Sequence, residues 1–344
     1  MNVLRCKGEM TRQEICDASG LSPAATARIT SALEGERLIE RTTKVTSTGG
    51  RPAWRYRFTA EGRFLIGLRV RRNGCRGILL KVESVTGEEI LEATKECARL
   101  LVQKGKELGM GPVSVGVSVP APVDKEGFVS KGREIDWSGV AIREILEEVT
   151  GLPVHAENDA NALVCSELYP GYAPDSLAAL ILDHGIGLGM LCNGTLVRGA
   201  NSRAGEMQHF NAFMRAFTPE AEVDGGIPYF VSNLLAIDLQ DEVAAPIRLW
   251  KRSVEPGDKW GRDLSQLLDI LAAMIEATIT LMDPERIVLG DFHPDHQERI
   301  ISDIRSRLNH ILPEPRLDIS RKGADAVLFG AAMLASQLVD LQSI

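Results

Sequence analysis

One stretch of the chain, Glu157-Asn158-Asp159, carries side chains suited to binding a polyol, and Glu206 and His209 are further polar residues with chemistry-bearing side chains. Asparagine offers both donors and acceptors, and an ionised aspartate accepts through two oxygens, which suits the adjacent hydroxyls of a sugar ring. That stretch follows a predicted strand over residues 153–156, and open α/β sheets bind ligands at the carboxyl ends of their strands. Glu206 and His209 are three residues apart and can share a face. Any one of these residues alone is as well explained as the cap of a helix or turn. His155, His184, His293, His296 and His310 show no metal-binding spacing, and the six cysteines (Cys6, Cys16, Cys75, Cys97, Cys165, Cys192) include no C-x-x-C pair. Neither a disulfide framework nor a cysteine-rich zinc site is expected, and the thiols read as free and buried.

The elements that position these residues belong to a chain of 344 residues, long enough for two or three cores. Its 44% hydrophobic and 25% charged residues are those of a folded globular chain, not of a coiled coil or a disordered polymer. No apolar run reaches the roughly 18 residues of a membrane helix, and the first residues have no signal-peptide core, so a cytoplasmic protein is expected. Charge is unevenly spread. Residues 1–72 hold 14 Lys and Arg against 7 Asp and Glu, a surplus of seven, which leaves −15 on the remainder of a chain whose total is −8. One basic end on an acidic body points to a polyanion at that end only.

Within the basic end, Thr11-Arg12-Gln13-Glu14 has the form of a capping box and predicts a helix to about Ala18. The helix breaks at Ser19-Gly20, and Ser22-Pro23 restarts a second one that runs to about Gly35. Ile15, Ala18, Leu21, Ile29 and Leu33 are expected to face inward, which is the helix-turn-helix pattern. Residues 38–41, the segment Gly49-Gly50-Arg51-Pro52, and alternating Trp54, Tyr56 and Phe58 read as a two-stranded wing. Beyond it, strands at 64–70, 77–83 and 113–119 surround a helix at about 94–108. A second strand pair at 177–182 and 187–192, a helix at 264–282 and a strand at 286–290 complete two α/β lobes.

The segments GLSPAATARITSALEGERLIE and TGGRPAWRYRFTAEG resemble, in order and spacing, the DNA-binding end of repressors in the ROK (repressor, open reading frame, kinase) family. The body resembles the same family through SVGVSVPAPVD, REILEEVTGLPV, ENDANA, HGIGLGMLCNGTLVRGANSRAGEMQH, RIVLG and LFGAAMLA. The resemblance implies an α/β fold, a winged helix-turn-helix followed by a two-lobed body of actin/hexokinase (ribonuclease H-like) type. The DNA-binding domain is then 1–60 and the sugar-sensing body 61–344. Lobe 1 is about 61–165 with the C-terminal helix at about 325–344, and lobe 2 is about 166–324. It also implies that the second helix enters the major groove and that Arg51 reaches the minor groove. Arg28 is the main base contact, with Ser22, Ala24 and Ala25 completing the DNA-facing set. Asn158, Asp159, Glu206 and His209 would form the sugar site, with Asp159 at the general-base position of the family's kinases.

The sequence departs from the family pattern where a kinase needs its nucleotide. A D-x-G-x-T loop is replaced by Arg69-Val70-Arg71-Arg72-Asn73, G-T-G-I-G by Asp183-His184-Gly185-Ile186-Gly187, and a glycine pair by Gly290-Asp291. An added carboxylate repels a phosphate, and side chains in place of glycine block its approach to the backbone. The family's zinc stretch C-x-C-G-x-x-G-C has no counterpart, since residues 210–232 contain no cysteine. Thr26 stands where the family packs an apolar residue. No catalytic residue, cofactor or metal is therefore expected. The expected partners are DNA, a small sugar or sugar derivative, and a second copy in a homodimer or a dimer of dimers, with no membrane. The reading is a sugar-responsive repressor. Its alternatives are a constitutive DNA-binding regulator and a sugar kinase.

Overall fold

The structure, a computed structural model, describes residues 4, 9–35, 39–45, 53–58, 63–71, 74–76, 87–109, 111–130, 137–168, 174–182, 186–207, 259–290, 297–308 and 316–342.

The chain opens with a short strand, β1 (Met10–Thr11), and two helices, α1 (Arg12–Ser19) and α2 (Pro23–Gly35). Thr11 caps α1 as its sequence predicts: its hydroxyl accepts from the Glu14 amide at 3.3 Å, and the Glu14 carboxylate accepts from the Thr11 amide at 2.7 Å. Gly20, at φ +70°, closes the helix in the left-handed conformation that favours glycine. Strands β2 (Ile39–Val45) and β3 (Ala53–Phe58) form an antiparallel hairpin, and β1 adds to β3 as a third strand. Leu4, Met10, Ile15, Ile39 and Tyr56 make the small core, with Leu33 and Trp54 against it.

The inward face of α2 differs from the expected one. Thr26 and Thr30 are buried, whereas Ala18, Leu21 and Ile29 are exposed. The reason is Arg12, which reaches across from α1 and donates to the Thr30 hydroxyl at 2.8 Å and to the Ser31 hydroxyl at 2.9 Å. Its guanidinium also lies 5.2 Å from the Tyr56 ring centroid. A cation between the helices needs hydroxyls beside it, which Thr30 and Ser31 supply, and the Thr30 hydroxyl in turn donates to the Thr26 carbonyl at 2.8 Å.

Two sheets build the body. The first has the order β5-β4-β6-β9, from β4 (Arg63–Arg71), β5 (Gly74–Arg76), β6 (Gly111–Val119) and β9 (Val154–Asn158). The second has the order β12-β11-β10-β13-β14, from β10 (Ser176–Leu182), β11 (Ile186–Cys192), β12 (Thr195–Leu196), β13 (Arg286–Gly290) and β14 (Leu317–Ile319). A two-stranded hairpin of β7 (Phe128–Val129) and β8 (Val140–Ala141) lies between β6 and β9 in the chain. With the two-residue β12 set aside, each larger sheet repeats one plan: a first strand antiparallel to the second and parallel to the third, and the third parallel to the fourth.

The helices repeat it too. In the first unit α3 (Gly87–Glu107), α4 (Ile142–Thr150) and α5 (Asp159–Ser166) follow the second, third and fourth strands. In the second unit α6 (Lys259–Met282), α7 (Gln297–Arg307) and α8 (Ala326–Gln342) do the same. The final helix of each unit crosses to the other sheet: α5 packs on β10 and β11, and α8 packs on β4, β6 and β9 while lying against α5.

That crossing is close. A Cβ at Gly116 of β6 would overlap the Ala331 carbonyl of α8, and one at Gly330 would overlap the Ala162 carbonyl of α5. The Ser114 hydroxyl donates to the Ala335 carbonyl at 3.0 Å. At the far end of α5, Glu167 pairs with Arg286 of β13, both fully buried, and accepts from the Ser320 hydroxyl at 2.7 Å.

Strand β13 and the pair β10–β11 fall where the sequence predicts them. Helix α3 begins seven residues earlier than expected, because Glu88 and Glu89 occupy its first turn, where acidic side chains favour the helix N-terminus. The expected strand at 77–83 lies outside the described residues. Among the described residues no helix is long and apolar enough to cross a membrane.

Candidate functional site

Strand β9 passes into α5 with no intervening residue, because Asn158 ends the strand and caps the helix. Its side-chain oxygen accepts from the amides of Ala160 at 3.0 Å and Asn161 at 3.3 Å, and its amide nitrogen donates to the Ala121 carbonyl at 3.3 Å. Asn158 is thus largely used in holding the junction. Asp159, the first residue of the helix, is buried, and one of its oxygens accepts from the Ala160 amide at 2.8 Å. The same oxygen lies 4.0 Å from where a Cβ on Gly187 would stand, so Asp159 faces the start of β11 in the second sheet.

Glu206 lies next in the chain to a second attachment on β11. It ends a loop that leaves β12, and the loop is pinned where the Gly205 carbonyl accepts from the Leu188 amide at 3.3 Å. Gly205 has φ +85°, and a Cβ there would overlap the Leu188 carbonyl, so only glycine fits. Asp159 thus faces Gly187 of β11, and the residue before Glu206 is bound to the next position of that strand, Leu188. His209 and Arg51 lie outside the described residues.

Two participants were not assigned from the sequence. Glu157 is 2% exposed, yet it is ionised: desolvation pushes its pKa up, and His155, Arg198, Asn161 and the Asn158 amide together pull it below the ordinary carboxylate value. The Arg198 guanidinium donates to one oxygen from Nε at 2.9 Å and lies at 2.8 Å through its terminal nitrogen. The other oxygen accepts from the Asn161 side chain at 2.9 Å and the Asn158 amide at 3.0 Å. Both Glu157 and Arg198 lie inside motifs quoted above, but a pair separated by 41 residues leaves no periodic signal. Cys165, fully buried beside them, has its thiol pushed up to about 12 by burial and by the Glu157 charge, with Arg198 opposing.

At the N-terminal end, Pro23, Ala24 and Arg28 are exposed and Ala25 and Ala27 half-buried. Ser22 is exposed, and its hydroxyl accepts from the Ala25 amide at 3.2 Å as the cap of α2. Three of the basic side chains are paired locally, Arg41 with Glu34, Arg55 with Glu14, and Arg57 with Glu40, which leaves the net surplus unchanged. Lys44 lies 4.7 Å from the Trp54 ring centroid. Arg28 makes no hydrogen bond or ion pair among the described residues, which leaves its donors available.

Of the residues that replace the family's nucleotide loops, Arg69 is described and fully buried in β4, while Arg72, Asn73, residues 183–185 and Asp291 lie outside the described residues. The stretch after Met207 that would correspond to the zinc loop lies outside them as well. Among the described residues no group of three His, Cys, Asp or Glu side chains could hold a metal.

Two sheets of one repeated plan, with exchanged final helices and a carboxylate at the strand end between them, define a mixed α/β body of actin/hexokinase type. The chain belongs to the ROK family, whose model matches residues 76–338. It is 23% identical over 214 residues to the xylose repressor of Bacillus subtilis, a match covering 58% of this chain and 56% of the relative. It is also 34% identical over 147 residues to a beta-glucoside kinase of Listeria monocytogenes, covering 41% of this chain and 48% of the relative. The chain thus spans about half the length of these curated relatives. In fold it is similar to a ROK family transcriptional regulator, a homologue of the E. coli MLC protein. That match has a TM-score of 0.73 and 20% identity, and covers 99% of this chain and 96% of the other.

Proposed function

We propose that the protein is a DNA-binding transcriptional regulator, a repressor, whose body responds to a small carbohydrate or sugar derivative. In this reading residues 1–60 form a winged helix-turn-helix domain and residues 61–344 the two-lobed sensing body, divided as set out above. The observation that carries it is the combination on one chain of α1, α2 and the β2–β3 hairpin with a ROK body that keeps Asn158, Asp159 and Glu206. The recognition helix is α2. Arg28 reads base edges, Ala24 and Ala25 offer methyl contacts, Ser22 and Arg51 contact the DNA flanking them, and a homodimer presents two such helices to a pseudo-palindromic site. Sugar gripped by Asp159, Glu206 and His209 favours one arrangement of the two sheets over another, and that preference is the signal.

Replacement of the first nucleotide loop by Arg69-Val70-Arg71-Arg72-Asn73, with the two further substitutions downstream, supports a body without phosphoryl transfer. The kinase relatives and the retained Asp159 favour a second reading, a sugar kinase with an added domain.

Fluorescence anisotropy on DNA upstream of the protein's own gene, at two salt concentrations and with a sugar panel beginning with D-xylose, tests the first reading. Salt-sensitive binding changed by one sugar and weakened in Arg28→Ala and Arg51→Ala is the expected result; each lost base contact costs about 1–3 kcal/mol. An effector response unchanged in Asp159→Asn and Glu206→Gln would displace the sensing site. DNA binding that no sugar alters would favour a constitutive regulator. ATP-dependent phosphorylation of a sugar, lost in Asp159→Asn, would establish the kinase.

A further inference from the structure

Arg198 joins three parts of the molecule that the chain keeps apart. Its neighbour Val197 donates its amide to the Met190 carbonyl at 2.9 Å, which holds the segment to the second sheet. Its guanidinium crosses to Glu157 on β9 of the first sheet, with both nitrogens converging on one carboxylate oxygen at 2.8 and 2.9 Å. Its own carbonyl accepts from the Ala204 amide at 3.1 Å and folds the loop back on itself, so that Gly205 reaches Leu188 and Glu206 follows. The carboxylate has no freedom to seek another partner. It is buried, and its second oxygen is filled by Asn161 and by the amide of Asn158, which also caps the helix carrying Asp159. Among the described residues, the other titratable groups beside it are His155, with Nε2 at 3.7 Å, and the Cys165 thiol.

We propose that Arg198 is a positioning residue: clasped by Glu157 across the two sheets, it fixes the loop over residues 198–207 and so sets Glu206 in place opposite Asp159. The proposal rests on the reading of Asp159 and Glu206 as the two sides of one sugar site, but the clasp exists without ligand and can be tested without one. A buried carboxylate demands its cation, so the pair closes as a unit and takes the loop with it. A lysine supplies the charge but not the fork, and keeps only part of the constraint.

Amide-resolved hydrogen–deuterium exchange on the full chain, in wild type, Arg198→Lys, Arg198→Gln, Glu157→Gln and the double variant Glu157→Gln/Arg198→Gln, tests it. The double variant leaves no unpaired buried charge and stays informative if a single variant unfolds. Exchange at the Ala204 and Leu188 amides is expected to rise at least about tenfold in the glutamine variants, less in Arg198→Lys, with amides of β13 unchanged. Equal protection of Ala204 and Leu188 in wild type and the double variant would overturn the proposal. Repeating the series with the same sugar panel, D-xylose first, separates the two readings. Loop exchange that depends on Arg198 but not on any sugar leaves the clasp standing and removes the sugar site. Protection by the sugar that is the same with and without Arg198 leaves the sugar site and removes the clasp.

Discussion

Replacing Gly330 with alanine sets helix propensity against packing, and the structure says which prevails. Gly330 lies inside α8, where alanine is intrinsically favoured over glycine by about 1 kcal/mol. The added Cβ would overlap the carbonyl oxygen and carbonyl carbon of Ala162, which are backbone atoms of α5 and cannot rotate aside. Relief requires the two crossing helices to separate, and forced overpacking of this kind costs about 1–3 kcal/mol, or more where backbone has to move. The net expectation is destabilisation by about 2 kcal/mol, which for a body of this size lowers Tm by about 4–8 °C. Because α5 begins with Asp159, the separation also displaces that carboxylate. The internal control is Gly35→Ala at the end of α2, where a Cβ meets nothing within 4 Å and the expected change is neutral to about 0.5 kcal/mol stabilising. Thermal and urea unfolding followed by circular dichroism would measure both. A Gly330→Ala variant as stable as wild type would refute the account of α5 and α8 as helices in backbone contact.

Thr11→Ala removes one half of the capping box and should destabilise the N-terminal unit by about 1 kcal/mol, read by hydrogen–deuterium exchange at the α1 amides; unchanged exchange would mean that α1 is held by packing alone. Glu157 has a folded pKa below its ordinary value of 4.5, so its contribution to stability is present above that value and is lost as pH falls through the folded pKa. Wild type should therefore lose more stability than Glu157→Gln when Tm is followed downward from pH 5, and parallel curves would show that the carboxylate is not held ionised. Alkylation of the native protein at pH 8 should modify exposed Cys192 and spare Cys165, whose buried thiol, pushed up to about 12, stays protonated until the chain unfolds. Equal labelling of the two, found by peptide mapping, would contradict that burial.

Elements whose evidence is local were legible in the residues. The Thr11 capping box, the stop at Gly20, the Ser22 cap and the buried run of β13 each announce themselves within a few residues. So did the position of Asp159, because strand ends in α/β sheets are where ligands bind. What was not legible depends on contacts between distant segments. Hydrophobicity placed Leu21 and Ile29 inside, but Arg12 brings its charge between the helices and bonds the hydroxyl of the buried Thr30 instead. Asn158 reads equally as ligand or cap, and its hydrogen bonds assign it to the cap. The Glu157–Arg198 pair needs both sheets to be folded before either residue has a partner.

The exchange of final helices gives this site its mechanical character. Asn158 ends a strand of the first sheet and Asp159 begins a helix that packs on the second, so no residue between them can absorb a change of angle between the sheets. Glu206 is carried by a loop fixed to β11, also in the second sheet, and the same loop is bound back to the first through Arg198. A ligand held by Asp159 and Glu206 thus bears on two connections that join the sheets, the Asn158–Asp159 junction and the Arg198 pair, while α8 is another. On the proposed reading, effector binding has to act through the angle between sheets, because a local adjustment of either carboxylate would break the Asn158 cap or the Glu157 clasp. A ligand can shift the arrangement only by its preference for one angle over another, which makes the packing of α5 on α8 the element that sets how much preference is needed.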